Sequence, residues 1–288
     1  MTAPARSAPQ ESVDVGDIRI TYLPDGDAVV SAEAVFPTGN AELWEAHREL
    51  FDADGLLMLT IGGFLVETGG EKIVVDLGFG DMTVPFEPVG GEFRGGRLLS
   101  SLRAAGVEPA EIDTVFYTHL HLDHVGWTAQ DGKLTFPNAR HLVGDGEFEF
   151  WQGVTDERLM VVGPHPVAVQ APLRDRVESV ADGQALARGV NVLASPGHTP
   201  GHCSLVVSSG VERAIILGDV VHCPLQLGDD DLRIIFDVDP DTAARTRDRI
   251  AAELEGTPST IGADAHFSGS AFGRVVRGTG RRWVGLSS

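Results

Sequence analysis

Between Asp113 and His124 the chain reads DTVFYTHLHLDH. A short apolar run of the buried-strand kind is followed at once by His119, His121, Asp123 and His124. The arrangement recurs. Val192–Ala194 leads through a Gly/Pro turn to His198, Ile215–Leu217 leads to Asp219, and Ile261–Ala263 leads to His266. A fold that serves this pattern must bring the ends of four strands to one place.

Imidazole is the commonest protein ligand for zinc, and a carboxylate adds charge and a harder oxygen donor. Residues two apart on an extended segment point the same way, so His119 and His121 can grip one ion together. Asp123 and His124 follow the strand, where the chain turns, and can face a second ion from another direction. A helical HExxH pair, with ligands four apart, has a different geometry. Five histidines and two aspartates are available in all. Two ions sharing Asp219 would each receive three ligands of their own and keep positions open for water.

The rest of the chain alternates strand-like and helix-like segments. Asp17–Leu23 and Leu56–Thr68 read as strands, and Lys72–Gly78 completes a hairpin through Gly69 and Gly70. Leu98, Leu99, Leu102 and Ala105 recur at helical spacing before Gly106. GVNVLAS, HCSLVVSS and RAIILGD read as three more strands. DPDTAARTRDRIAAELEG predicts a helix with Asp239 as N-cap, Pro240 in its first turn and Gly256 as its stop. STIGADAHF predicts a last buried strand ending at His266. No Pro/Gly/Ser linker divides the chain. We read a frayed N-terminus over 1–16 and a single domain over 17–288, made of two similar β-rich halves. An elaboration over about 24–55 and the Gly-rich DMTVPFEPVGGEFRGG lie over that core. Trp44, with Leu43, His47, Leu50 and Phe51, marks a short helix that docks on the body or on a partner subunit.

Charge narrows the partners. Lys and Arg number 22 against 42 Asp and Glu, which leaves −20. That balance repels phosphate backbones and argues against nucleic acid. Arg245, Arg247 and Arg249 sit among acids and read as a solvated helix face. Cys203 and Cys223 lack CxxC spacing and read as buried free thiols. No apolar h-region opens the chain and no window approaches ~20 apolar residues, so a soluble, cytoplasmic protein without membrane association is expected.

HxHxDH, SPGHTPGH, a strand-terminal Asp and a late His together resemble the metallo-β-lactamase superfamily. The resemblance runs from about Leu56 to the C-terminal strands. It implies an α/β (α+β) fold, the four-layered αββα sandwich. It implies His119, His121 and His198 on one ion, Asp123, His124 and His266 on the other, and Asp219 as bridge. Asp76 in VVDLG matches the buried Asp that supports the histidine loop. His202 is not a ligand in that pattern and Asp264 has no counterpart. His47, His141 and His165 have no ligand context.

Two Lewis-acidic ions, zinc or another divalent metal, bring the pKa of a shared water to about 7 and polarise a substrate oxygen. Asp123 is placed to take and return the proton. The five-histidine set argues against the iron-carboxylate arrangement of diiron flavoproteins, and Asp219 against β-lactamase activity. The remaining close resemblance is to quorum-quenching lactonases and methyl parathion hydrolase. It implies a dinuclear zinc hydrolase acting on a small hydrophobic lactone or ester through metal-activated water. Alternatives are an organophosphate triester hydrolase, a glyoxalase-like thioester hydrolase and a mononuclear iron persulfide dioxygenase. Lactonases of this kind place a Tyr three residues after the bridging Asp. Here that residue is His222, a candidate catalytic donor. Phe86, Phe93, Trp127 and Phe267 are candidate walls for a small-molecule substrate. A homodimer follows by family analogy alone.

Overall fold

The computed structural model describes residues 4–229, 231–278 and 280–286. The N-terminal half supplies β1 (Ser12–Val15), β2 (Ile18–Val30), β3 (Leu57–Thr68), β4 (Glu71–Val75), β5 (Thr83–Phe86), β6 (Gly91–Arg94) and β7 (Thr114–Tyr117). A small separate hairpin, β8 (Ala129–Gln130) and β9 (Lys133–Leu134), precedes β10 (Arg140–Gly144) and β11 (Val177–Val180). The second half supplies β12 (Ala185–Ala187), β13 (Val190–Ala194), β14 (Cys203–Ser209), β15 (Glu212–Ile216), β16 (Ile261–Ala263), β17 (Phe272–Arg277) and β18 (Arg281–Gly285).

Among the described residues the first sheet runs β11-β10-β7-β4-β3-β2-β6-β5, with β1 paired to β2. The second runs β12 to β18 in chain order. In that second sheet β15 and β16 are the parallel pair, and the helix Pro240–Gly256 makes the crossover between them. Side chains alternate across each strand with a period of two, and the apolar clusters follow that period. Ile73, Val75 and Phe116 point between the sheets and meet Val192, Leu205, Val207, Ile216 and Phe272. Val74, Val115 and Tyr117 point the other way, under Leu98 and Leu102 of the helix Leu98–Ala104. On the far side Ile215 and Leu217 pack beneath Ile250, Ala251 and Leu254 of the helix Pro240–Gly256. Helix, sheet, sheet, helix: this is the αββα sandwich expected.

Several expectations need correction. The N-terminus is tied down well before residue 17, because β1 pairs with β2 and Ala8 is buried. Of the segment expected to fray, Met1 to Ala3 lie outside the described residues. Strand β2 continues to Val30 instead of stopping at Leu23. A bulge between Pro24 and Gly26 absorbs the missing N–H of the proline. Gly26 is required there, since a Cβ would lie 1.7 Å from the carbonyl oxygen of Arg94. The Gly-rich stretch forms the hairpin β5–β6, which pairs Asp27 with Arg94 and widens the first sheet.

Trp44 packs with Phe36 and Phe51 in a cluster that includes Cys223, Leu232 and Ile234, so its helix docks on the chain's own body. The helix Pro240–Gly256 begins as expected, with the Asp239 carboxylate accepting from the N–H of Thr242 at 3.0 Å. Arg247 is not on a solvated face; it is buried, 3.9 Å from Asp237. The strand expected to reach His266 stops at Ala263, which leaves His266 on a loop. Both cysteines are buried and free.

Candidate metal centre

The loops after β4, β7, β13, β15 and β16 converge at one end of the sandwich. Asp76 follows β4 on a left-handed backbone, φ 59°. An L residue is held there at some cost, and the contacts explain it. Its Oδ1 accepts the N–H of Thr118 at 2.8 Å, and its Oδ2 accepts the Thr118 hydroxyl at 2.8 Å. The same Oδ2 stands 2.9 Å from Nδ1 of His124 and accepts its proton. One buried carboxylate thereby fixes the start of the histidine loop and turns Nε2 of His124 inward.

Two groups of donors face each other. In the first, Nδ1 of His121 lies 2.9 Å from Nε2 of His119 and 2.8 Å from Nε2 of His198. In the second, Asp123, His124 and His266 approach one another, Asp123 being the half-buried member. Asp219 stands between them. Its Oδ1 is 3.0 Å from Nε2 of His124 and 3.0 Å from Nε2 of His266. Its Oδ2 is 3.2 Å from Nε2 of His198 and 3.6 Å from Nε2 of His119. The two oxygens divide between the groups.

Burial and the Asp219 carboxylate pull the ionisation of these histidines in opposite directions. Burial holds His119 and His121 well below the ordinary imidazole value, so both offer lone pairs. Burial also opposes charge on His198 and His266, yet the Asp219 carboxylate pushes both up to about 9. Asp219, despite its burial, is pulled well below the carboxylate range by His124, His266 and His119. Imidazole nitrogens this close repel through their lone pairs unless a proton or a metal ion sits among them. The buried Nε2 of His121 has no hydrogen-bond partner, and its Nδ1 is the atom that faces the first group. This donor set fits a divalent metal.

Outer contacts orient the rest. His198 turns Nδ1 to Asp237 at 2.9 Å, and Asp237 in turn faces the buried Arg247. His266 gives Nδ1–H to the carbonyl of Thr60 at 3.0 Å. His202 is structural, as expected: its Nε2 accepts the N–H of Asp219 at 2.9 Å and its Nδ1 meets Ser195. Gly218 makes that contact possible, because at φ 58° a Cβ would lie 2.6 Å from Nε2 of His202. Asp264 accepts the N–H of His266 and takes no place in either donor group. His47 and His165 are bonded locally, to Glu49 and to the N–H groups of Val167 and Ala168. His141 is buried under Tyr117, 3.0 Å from its hydroxyl.

A cavity of ≈ 490 Å³ opens over the donors, and Asp123, Asp219 and His222 face it. Phe86 and Phe93 line it. Trp127 and Phe267 do not. The indole N–H of Trp127 is bound by Asp25 at 2.9 Å, while Phe267 packs edge-on against Trp283. Each follows a candidate ligand in the sequence, but the backbone turns its side chain into the protein. His222 sits in the cavity with Nε2 3.0 Å from Oδ2 of Asp219. Asp237, Glu147 and Asp25 were not legible as site residues. Asp25 accepts from the N–H groups of Phe79, Gly80, Gly96, Arg97 and Leu98. PDGD, in which it stands, reads only as a turn.

Comparison with known proteins agrees with this geometry. An N-acyl homoserine lactonase of Bacillus sp is 28% identical over 173 residues, 56% of this chain and 64% of that protein. The match therefore spans less than two thirds of the relative's length. The solved structure of AidC, a dizinc quorum-quenching lactonase, superimposes with a TM-score of 0.85 at 26% identity, covering 98% of both chains. The hydrolase AbOPH of the beta lactamase superfamily superimposes with a TM-score of 0.80, also at 26% identity and 98% of both chains. The sequence model of the Metallo-beta-lactamase superfamily matches residues 63–266, and with its ligand motifs assembled on an αββα sandwich the chain belongs to that superfamily.

Proposed function

We propose that the chain is a dinuclear zinc hydrolase that opens small hydrophobic lactones, N-acyl homoserine lactones among them. The observation that carries the reading is the Asp219 carboxylate, set between two histidine groups on the floor of an apolar cavity. His119, His121 and His198 would hold one ion and Asp123, His124 and His266 the other, with Asp219 shared. An imidazole-rich set with carboxylate favours zinc over the harder cations. Bound there, the ions supply Lewis acidity and an activated water.

The protein's own groups do the rest. Asp123 is the half-buried carboxylate of the set and faces the cavity, where it takes and returns the proton. Burial holds the imidazole of His222 down to about 4, so it is neutral near pH 7. Its one N–H lies on Nε2, which donates to Asp219 at 3.0 Å and would be free for substrate once the ions engage that carboxylate, while Nδ1 keeps the lone pair. We assign His222 to the substrate carbonyl, the place the Tyr takes in the lactonase pattern. Ala28, Leu59, Phe93, Ile234 and Phe236 line the cavity above the donors. Its size suits a small ligand, and its lining suits a hydrocarbon chain better than a charged group. The similarity to an N-acyl homoserine lactonase and to a dizinc lactonase supports the same substrate class.

Neutral phosphotriesters are a second reading. Phe79, Phe86 and Phe93 form a run of aromatic contacts at 5.4 to 5.7 Å that suits an aryl leaving group. A panel of acyl-homoserine lactones, aryl esters, a paraoxon-like triester, a β-lactam and an acylglutathione, offered to zinc-loaded protein, decides between them. Preference for a lactone supports the first reading, and preference for the acylglutathione overturns both.

A further inference from the structure

Glu147 opens the helix Glu147–Gly153 and is fully buried, yet it takes no part in either donor group. Its carboxylate is held by three donors from three places. Oε1 accepts the N–H of Leu120 at 3.0 Å and the indole N–H of Trp151 at 2.8 Å, and Oε2 accepts the N–H of Gly201 at 3.0 Å. Leu120 separates His119 from His121. Gly201 belongs to the turn that presents His198. The indole of Trp151 stands edge-on to the His121 ring, centroids 5.3 Å apart.

Leu120 thus adjoins His119 and His121, Trp151 packs on the His121 ring, and Gly201 lies in the turn three residues after His198. None adjoins Asp123 or His266, and His124 takes its orientation from Asp76 while His266 takes its own from the carbonyl of Thr60. The backbone is shaped for this approach. A Cβ on Gly201 would lie 2.6 Å from the Cβ of Glu147 and 2.7 Å from its backbone nitrogen. A Cβ on Gly144 would lie 2.0 Å from the carbonyl oxygen of Gly201. The last glycine of SPGHTPGH, which no ligand role explains, is what lets the helix start reach the His198 turn.

We propose that Glu147 is a positioning residue: it ties the HLH segment to the His198 turn and so sets the metal affinity of the His119, His121 and His198 half-site alone. The inference rests on the two-ion reading. Losing the carboxylate leaves N–H groups from two loops without their common acceptor, and the imidazoles they carry drift apart.

The test is zinc titration by calorimetry, with chelator competition, on the wild type and on E147Q, W151F and H198A. Wild type is expected to show two classes of site. E147Q should weaken one class about 10- to 100-fold, as loss of an outer partner does, and leave the other unchanged. The weakened class should be the one that H198A removes. W151F keeps the carboxylate, should show the same selective loss to a smaller degree, and carries the test if E147Q does not fold. Equal weakening of both classes, or of neither, overturns the role of Glu147 while leaving the dinuclear reading intact. A wild type that binds fewer than two zinc ions overturns the dinuclear reading itself, and this inference with it.

Discussion

Asp76 and His124 meet at 2.9 Å across a backbone that Asp76 holds left-handed, and this one contact aims Nε2 of His124 at the donor cluster. Asp76→Asn keeps the size and tolerates the backbone, but it removes the negative charge that supports His124. Zinc affinity should fall about 10- to 100-fold, while the unfolding midpoint of the chelator-treated protein changes far less than in Asp76→Leu. Equal affinity in Asp76→Asn and wild type, by competition with a chelator, contradicts the orienting role.

His222 separates a catalytic donor from a spectator. His222→Phe should lower kcat/KM for a lactone about 100-fold, the usual cost of removing one hydrogen-bond donor from a developing oxyanion. Zinc content should stay at the wild-type level. His222→Tyr should recover much of the loss, because a phenol restores a donor. Steady-state kinetics with metal analysis of both variants checks this, and His222→Phe at full rate removes His222 from the mechanism.

How far the sequence carried depends on where the information lies. The segments leading to His119, Asp219 and His266 were readable because the short apolar runs before them are buried on both faces, as Val115 and Phe116 are, while the run before His198 alternates. Contacts between distant segments were not. Asp237 lies among ordinary acids, and only the folded chain sets it between His198 and Arg247. The same burial overturned the reading of Arg247 as a solvated residue. Trp127 shows the limit most clearly: adjacency to His124 suggested a wall, yet the Asp25 carboxylate draws its indole away from the cavity. Pro24 and Gly26 hid the second half of a long strand, since a bulge is invisible to an alternation rule.

The cavity lining should appear in a chain-length series. Each methylene of an acyl chain that leaves water for the wall contributes about 0.8 kcal/mol, or roughly fourfold in kcat/KM, until the cavity is full. Met160 lies at the rim, lines the cavity and is 55% exposed, so a change there spares the core. Met160→Lys should flatten the series for long acyl lactones and leave the shortest nearly unchanged. A flat series in the wild type contradicts a hydrocarbon site.

Acid should destabilise the fold through His141. Burial pushes its imidazole down to about 4, against 6.5 for the free side chain. Between those values the unfolded chain binds the proton and the folded one does not, so stability falls as pH drops from about 6.5 to about 4. The contribution is on the order of 3 kcal/mol at most. His141→Gln should be less stable than wild type at pH 7.5, and the gap between their unfolding midpoints should shrink by pH 5. A gap that is constant with pH argues against a neutral buried His141.

The proposed function needs two ions held about Asp219 and used to open a lactone. It is met most directly by counting zinc per chain by mass spectrometry and titrating the acid released from an N-acyl homoserine lactone by the same sample. Two ions per chain and one equivalent of acid per lactone are expected, with turnover lost and ion content reduced in Asp219→Ala. A single iron per chain with sulfite formed from a persulfide, or two zinc ions with no lactone opened, contradicts it.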